Sequence, residues 1–197
     1  MPKTLQTPLS PDDIRTLRAG DAVTLSGVIY TGRDAAHRRM AELLEQGEPL
    51  PFAVAGQAIY YAGPCPARPG QVIGPVGPTT SGRMDAYAPR LMQEGLLVMI
   101  GKGERDKAVI EAIKRYKGVY LAAVGGAAAL MAKRVKSNEL IAFEDLGAEA
   151  IRALTVEDMP LYVAIDCRGH SIYPSGRAAG RGRPGQDTGG DFSLFLW

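Results

Sequence analysis

Residues Gly77-Pro78-Thr79-Thr80-Ser81-Gly82-Arg83-Met84-Asp85 put three adjacent hydroxyls and a guanidinium in a turn that reads as the opening of a helix. Such groups suit a small anion. Pro78 has no N–H, the flanking glycines let backbone come close to a ligand, and unpaired amides at a helix start favour negative charge. Arg83 can grip a carboxylate through two parallel hydrogen bonds, a geometry that lysine lacks. A plain helix cap would use the same residue types, so the turn by itself leaves both readings open.

Two further segments put cations where strands give way to helices. Thr31-Gly32-Arg33-Asp34-Ala35-Ala36-His37 follows an apolar run, and Met99-Ile100-Gly101-Lys102-Gly103 follows Leu96-Leu97-Val98. Ligands of open α/β sheets collect beyond the carboxyl ends of strands, so Arg33, Arg83 and Lys102 are candidates to meet on one anionic ligand.

The elements that must position these groups alternate along the chain. Ser10-Pro11-Asp12-Asp13 predicts a helix start, with a capping hydroxyl, proline at the first helical position and acids at the positive end, and Gly20 stops it. Ala22 to Tyr30 reads as a strand whose period shifts at Gly27, the mark of a bulge. Asp34 to Gln46 reads as a helix with Ala36, Met40, Leu43 and Leu44 on one face and Gly47 beyond its end. Short strands are expected at Ala58 to Ala62 and Val72 to Val76, separated by a proline-rich connection. Beyond the hydroxyl turn the pattern predicts helix Asp85 to Glu94, strand Leu96 to Ile100, helix Asp106 to Tyr116 ended by Gly118, and strand Val119 to Val124. A tight Gly125-Gly126 turn, helix Ala127 to Lys133, strand Leu140 to Phe143, helix Ala148 to Leu154 and strand Leu161 to Ile165 complete it. This alternation argues for an α/β domain with a mixed or parallel sheet.

Composition sets outer bounds. The 197 residues suffice for one good core, and 46% apolar with 22% charged residues matches a soluble globular protein. A net charge of +2 predicts neither nucleic acid nor membrane as partner. Met1 to Ser10 has no apolar core of the secretory kind and Val119 to Ala132 is too short to span a bilayer, so a cytoplasmic setting is expected. Cys65 and Cys167 lie far apart with no CxxC spacing, and only His37 and His170 could assist them; they read as two reduced, small apolar side chains. From Pro174 the Gly176–Gly185 stretch is rich in glycine and arginine and reads as a flexible tail, while Phe192 to Trp197 is apolar again and reads as either an exposed end or a docking segment.

Taken in order, TGRDAAH, GPTTSGRMD, MIGKG, the Val119–Leu130 run with its double glycine, and PLYVAIDCRG resemble the β subunit of the two-subunit, iron–sulfur type fumarate and tartrate hydro-lyases. That subunit is equivalent to the C-terminal domain of single-chain class I fumarases. The likeness extends from about Leu9 to Tyr173. It implies a swivelling β/β/α domain with a mixed sheet over residues 1–173, followed by the tail 174–197. It implies reversible hydration of a four-carbon dicarboxylate, fumarate/(S)-malate first and L-tartrate as the alternative, in an α2β2 assembly. The 4Fe-4S iron–sulfur cluster would be held by the partner α subunit and not by this chain, whose two cysteines equip it badly for one.

By the same resemblance Arg33, Thr79, Thr80, Arg83 and Lys102 bind the substrate, with Thr80 as the catalytic base and no metal ligand in this chain. Asp85 reads either as a first-turn helix residue or as an orienter of Arg83. His37 either packs under its loop or bonds near the site. Asp166 and Arg168 read as a local pair and His170 as exposed. A stand-alone anion-binding module and a purely structural subunit are the readings from other classes.

Overall fold

A computed structural model of the chain describes residues 1–123 and 128–174. Seven strands, β1 Lys3–Gln6, β2 Ala22–Thr31, β3 Ala58–Tyr60, β4 Val98–Gly101, β5 Val119–Ala122, β6 Val135–Ala142 and β7 Ile151–Ile165, form one sheet in the order β1-β2-β3-β4-β5-β7-β6. The pairs from β1 through β5 are parallel, whereas β7 runs antiparallel to β2, β5 and β6. The sheet is therefore mixed. β7 is long enough to pair with β2 along one edge and with β6 and then β5 along the other, so the ring β2-β3-β4-β5-β7 closes on itself.

Strand alternation sorts the side chains into two cores. Ala58, Tyr60, Val98, Ile100, Val119 and Leu121 point into the ring, against Val23, Leu25, Leu154, Leu161 and Val163 of β2 and β7. Ile59, Met99 and Tyr120 point outward and are covered by the helices α2 Asp34–Glu45, α3 Ala88–Gln93 and α4 Lys107–Tyr116 through Met40, Leu91, Met92, Val109 and Ile113. The result is three layers: strands, strands, helices. Helix α1, Pro11–Thr16, is fixed by Ser10, whose hydroxyl accepts from Asp13 N–H while the Asp13 carboxylate answers the Ser10 amide. α5 spans Ala128–Arg134.

Most expected elements are present, with their bounds as the usual difference: the strand expected at Leu140 to Phe143 is β6, Val135–Ala142, and that expected at Leu161 to Ile165 is the end of β7. The bulge at Gly27 is real: the β2–β7 register slips between Leu25 and Gly27, and Gly27 takes φ +106°. Helix α4 ends at Tyr116, two residues before Gly118, and Lys117 between them takes the left-handed conformation. Three expectations fail. Ala148 to Leu154 is not helical: a 3-10 segment Glu144–Glu149 leads directly into β7, because Arg152 and Leu154 are needed opposite Thr31 and Ile29. Val72 to Val76 forms no strand; Gly74 sits so close to the Cys65 carbonyl that a Cβ would lie 2.4 Å from it, and the segment runs as irregular chain. The helix expected from Asp85 starts only at Ala88, with Pro89 in its first turn, and a separate 3-10 turn Ser81–Met84 precedes it. Strand β1 has no counterpart among the expectations. The Gly125-Gly126 turn and the tail from Ser175 to Trp197 lie outside the described residues.

Candidate functional site

The carboxyl ends of the neighbouring parallel strands β2, β3 and β4 form one rim, and each supplies a piece of the candidate site. Leaving β2, Gly32 donates its N–H to Tyr60 O at 3.0 Å, which holds the connection against β3. Arg33 then occupies the N-cap of α2. Its carbonyl accepts twice from His37, from the amide at 2.9 Å and from ring Nδ1 at 2.8 Å. A carbonyl can only accept, so Nδ1 carries the proton and Nε2 is a bare lone pair, buried and without a partner among the described residues. Burial, reinforced by the Arg105 charge and opposed by the Arg33 carbonyl, pushes the His37 pKa down to about 4. His37 is thus a neutral packing residue under the loop, edge-on to Tyr61 at 5.2 Å.

The Arg33 guanidinium is three-quarters covered. Its Nη2 lies 3.1 Å from Glu149 Oε1, and Nε lies 3.9 Å from Asp34 Oδ1 with no hydrogen bond made. Glu149 also accepts from Ala35 N–H at 3.2 Å, so the last residue of the 3-10 segment before β7 ties down both the arginine and the start of α2. The carboxylate beside Arg33 is therefore chiefly Glu149, not the adjacent Asp34. Gly63 permits this packing, since a Cβ there would come within 3.2 Å of Arg33 Cδ and 2.8 Å of Ala148 O.

After β3 the chain wanders through the proline-rich connection and returns to where it left. Ala62 bridges Pro78, and Thr79 N–H donates to Tyr61 O at 2.6 Å. Thr80 then pairs in parallel with Lys102, while Ser81 N–H donates to Lys102 O at 2.9 Å. The hydroxyl turn and the Lys102 turn thus lie side by side. Thr80 stands at the N-cap of the 3-10 turn, yet its side chain makes no capping hydrogen bond. That departs from the plain-cap reading: Thr80 is exposed, and among the described residues its hydroxyl has no hydrogen-bond partner. Arg83 and Lys102 are exposed, and among the described residues neither has an ion-pair partner. Among the described residues these two positive charges of the rim are uncompensated, whereas that of Arg33 is paired with Glu149.

Ser81, the third hydroxyl, faces the other way. It is buried and shares a 2.8 Å hydrogen bond with the Tyr120 hydroxyl, which also donates to Gly103 O at 2.9 Å. Asp85 is neither a first-turn helix residue nor an orienter of Arg83. Its Oδ1 accepts from Arg105 Nε at 2.6 Å and its Oδ2 from Asp106 N–H at 2.7 Å, because a buried arginine lies directly behind the turn. Sequence reasoning missed Arg105 and Glu149: both act through partners distant in the chain, and nothing local marks them. At the far end, Asp166 is buried and accepts from the amides of Ala19, Arg168 and His170, so Arg168 meets it through backbone, while His170 is exposed with Nδ1 3.1 Å from Asp166 Oδ2.

The two cysteines are not brought together. Cys65 is exposed on the proline-rich connection and Cys167 is buried in the ring core, and among the described residues no three His, Cys, Asp or Glu side chains gather as a metal site. No helix among the described residues is long and apolar enough to cross a membrane.

Residues 3–176 match the family model described as the fumarase C-terminus. An aerobic class I fumarate hydratase of Escherichia coli is 40% identical over 153 residues, covering 77% of this chain and 28% of that protein. Fumarate hydratase 2 of Leishmania major is 40% identical over 156 residues, or 78% of this chain and 28% of its own length. A putative L(+)-tartrate dehydratase subunit beta of Methanocaldococcus jannaschii is 40% identical over 171 residues, covering 84% of this chain and 88% of that protein. The chain thus spans between a quarter and a third of the fumarate hydratases it matches and most of the tartrate dehydratase subunit.

Proposed function

The chain belongs to the fumarase C-terminus family, and from that premise we propose that it is the β subunit of a heteromeric hydro-lyase. The reaction is the reversible addition of water across the C2–C3 bond of a four-carbon dicarboxylate, with fumarate and (S)-malate as the first substrate pair. The observation that carries this reading is the rim itself: Thr80 beside Lys102, with the Thr80 hydroxyl, Arg83 and Lys102 all without a hydrogen-bond or ion-pair partner for their side chains among the described residues.

The chemistry follows from charge. Removing a proton from the carbon next to a carboxylate builds negative charge on that carboxylate, and fixed cations at the place where the charge grows lower the barrier. Arg33, Arg83 and Lys102 are assigned that role, and Thr79 and Thr80 bond the substrate oxygens. Thr80 is proposed as the base. A threonine hydroxyl is a weak base at its free pKa, so the role depends on the neighbouring cations.

This chain's own donor set does not fit an iron–sulfur cluster, so the 4Fe-4S cluster is assigned to an α subunit, where it would supply a Lewis acid for the departing hydroxyl. The proposed assembly is α2β2, in the cytoplasm, with the hydro-lyase domain over residues 1–173. L-Tartrate is the second substrate reading. The putative tartrate dehydratase subunit of Methanocaldococcus jannaschii supports it, because the match covers 88% of that protein and 84% of this chain.

Anaerobic co-expression with an α subunit whose cysteines are clustered, followed by assays on fumarate, malate and both tartrate enantiomers, tests the proposal. Turnover of one of these is expected. An assembled, cluster-loaded complex that hydrates and dehydrates none of them would leave an anion-binding or structural role instead.

A further inference from the structure

We propose that Arg105 is a positioning residue for this site: its buried guanidinium holds the Thr79–Arg83 turn in place through Asp85, Tyr61 and Tyr120. The inference rests on the substrate role assigned above to that turn. Arg105 makes no claim on the substrate itself, since its side chain has no exposed surface.

Three supports of the turn converge on this one side chain. Asp85 closes the 3-10 turn that carries Arg83, and it is clasped by Arg105 Nε at 2.6 Å. Tyr61, whose carbonyl takes the Thr79 amide, presents its ring 5.2 Å from the guanidinium carbon. Tyr120, whose hydroxyl holds Ser81, presents its ring at 5.0 Å. An arginine held over two aromatic rings and by a carboxylate is restrained by three neighbours at once. Nη1 completes the arrangement against Met99 Sδ at 3.5 Å.

The arrangement is not the one that stability alone would select. Nη2 is buried without a hydrogen-bond partner among the described residues, and a buried ion pair is commonly no more stabilising than apolar residues of the same volume. What the pair does supply is a directional lock behind a turn whose other face is open. Misplacing a substrate-gripping group by about 1 Å can cost 10²-fold in rate, so such a lock has catalytic value without contact.

The test compares the parent with Arg105→Met and with the double variant Arg105→Met/Asp85→Asn. The single variant strands a buried carboxylate and is expected to lose stability. The double variant removes both charges while Asn still offers an oxygen to the Asp106 amide, so it separates charge balance from positioning. In the full chain, amide exchange at Ser81–Met84 relative to the Met99–Ile100 amides of β4 is expected to be at least about tenfold faster in the double variant. In the reconstituted complex, kcat/KM is expected to stay about 10²-fold low even though the protein is folded. Exchange at the turn that tracks β4 as in the parent, or kcat/KM restored in the double variant, overturns the proposal. A parent complex inactive on every dicarboxylate would instead remove the hydro-lyase reading, and the exchange ratio would still decide whether Arg105 holds the turn.

Discussion

Thr80 and Lys102 face each other across a parallel bridge, so a hydroxyl and an ammonium from two separate connections, neither with a partner among the described residues, share one rim of the sheet. The bridge is extended by Ser81 N–H to Lys102 O and sealed from below by Ser81 to Tyr120. A change beneath this bridge should therefore be felt above it.

Gly101→Ala is such a change. A Cβ at residue 101 would lie 2.0 Å from Ser81 Oγ and 2.9 Å from the Tyr61 ring. The hydroxyl must swing away from Tyr120, and overpacking of this kind costs about 1–3 kcal/mol. Denaturant titration should find that loss, and a raised KM in the reconstituted complex should accompany it. A stability and KM both equal to the parent's would mean that Ser81 does not hold the turn.

His37 gives the stability of the chain an acid limit. Its pKa falls from 6.5 to about 4 on folding because burial disfavours the charged ring. The unfolded chain then binds more protons than the folded one between those values, so stability is complete above pH 6.5 and declines as pH drops toward 4. The decline attributable to this group is roughly 3 kcal/mol over that window. Denaturation midpoints of parent and His37→Phe, measured across the window, should converge as pH falls, and parallel curves would contradict the burial of a neutral imidazole.

Thr80→Val keeps the volume of the side chain and deletes its hydroxyl. As the base, Thr80 should lose about 10²-fold or more in kcat of the complex. A fall confined largely to KM would reduce it to a substrate hydrogen bond.

Much of the fold was legible because its signals are local. Ser10 announces its helix as a cap, and the Gly27 bulge and the apolar runs of β2, β4 and β5 stand where the period says, whereas Asp106, read as the first residue of its helix, is the N-cap of α4. Ala148 to Leu154 misled because Ala148, Ile151 and Leu154 also fit a helical face, and strand pairing with Thr31 and Ile29 overrode that preference. Lys3–Gln6 has one buried residue, Leu5, too little for a pattern, and only β2 makes it a strand. In the candidate site, the turns bearing Arg33, Thr79, Thr80, Arg83 and Lys102 were readable from their glycines and hydroxyls. Arg105 and Glu149 were not, since a buried arginine looks like a surface one until Asp85, Tyr61 and Tyr120 surround it.

The most direct measurement is kcat/KM of the reconstituted complex carrying Arg83→Lys. Lysine keeps the charge and loses the planar fork, and a charge-assisted contact of this kind is worth roughly 1.5–3 kcal/mol. The account predicts a fall of about one to two decades with folding and subunit assembly unchanged. Parental kcat/KM in that complex would contradict the assignment of the Thr79–Arg83 turn as the substrate site.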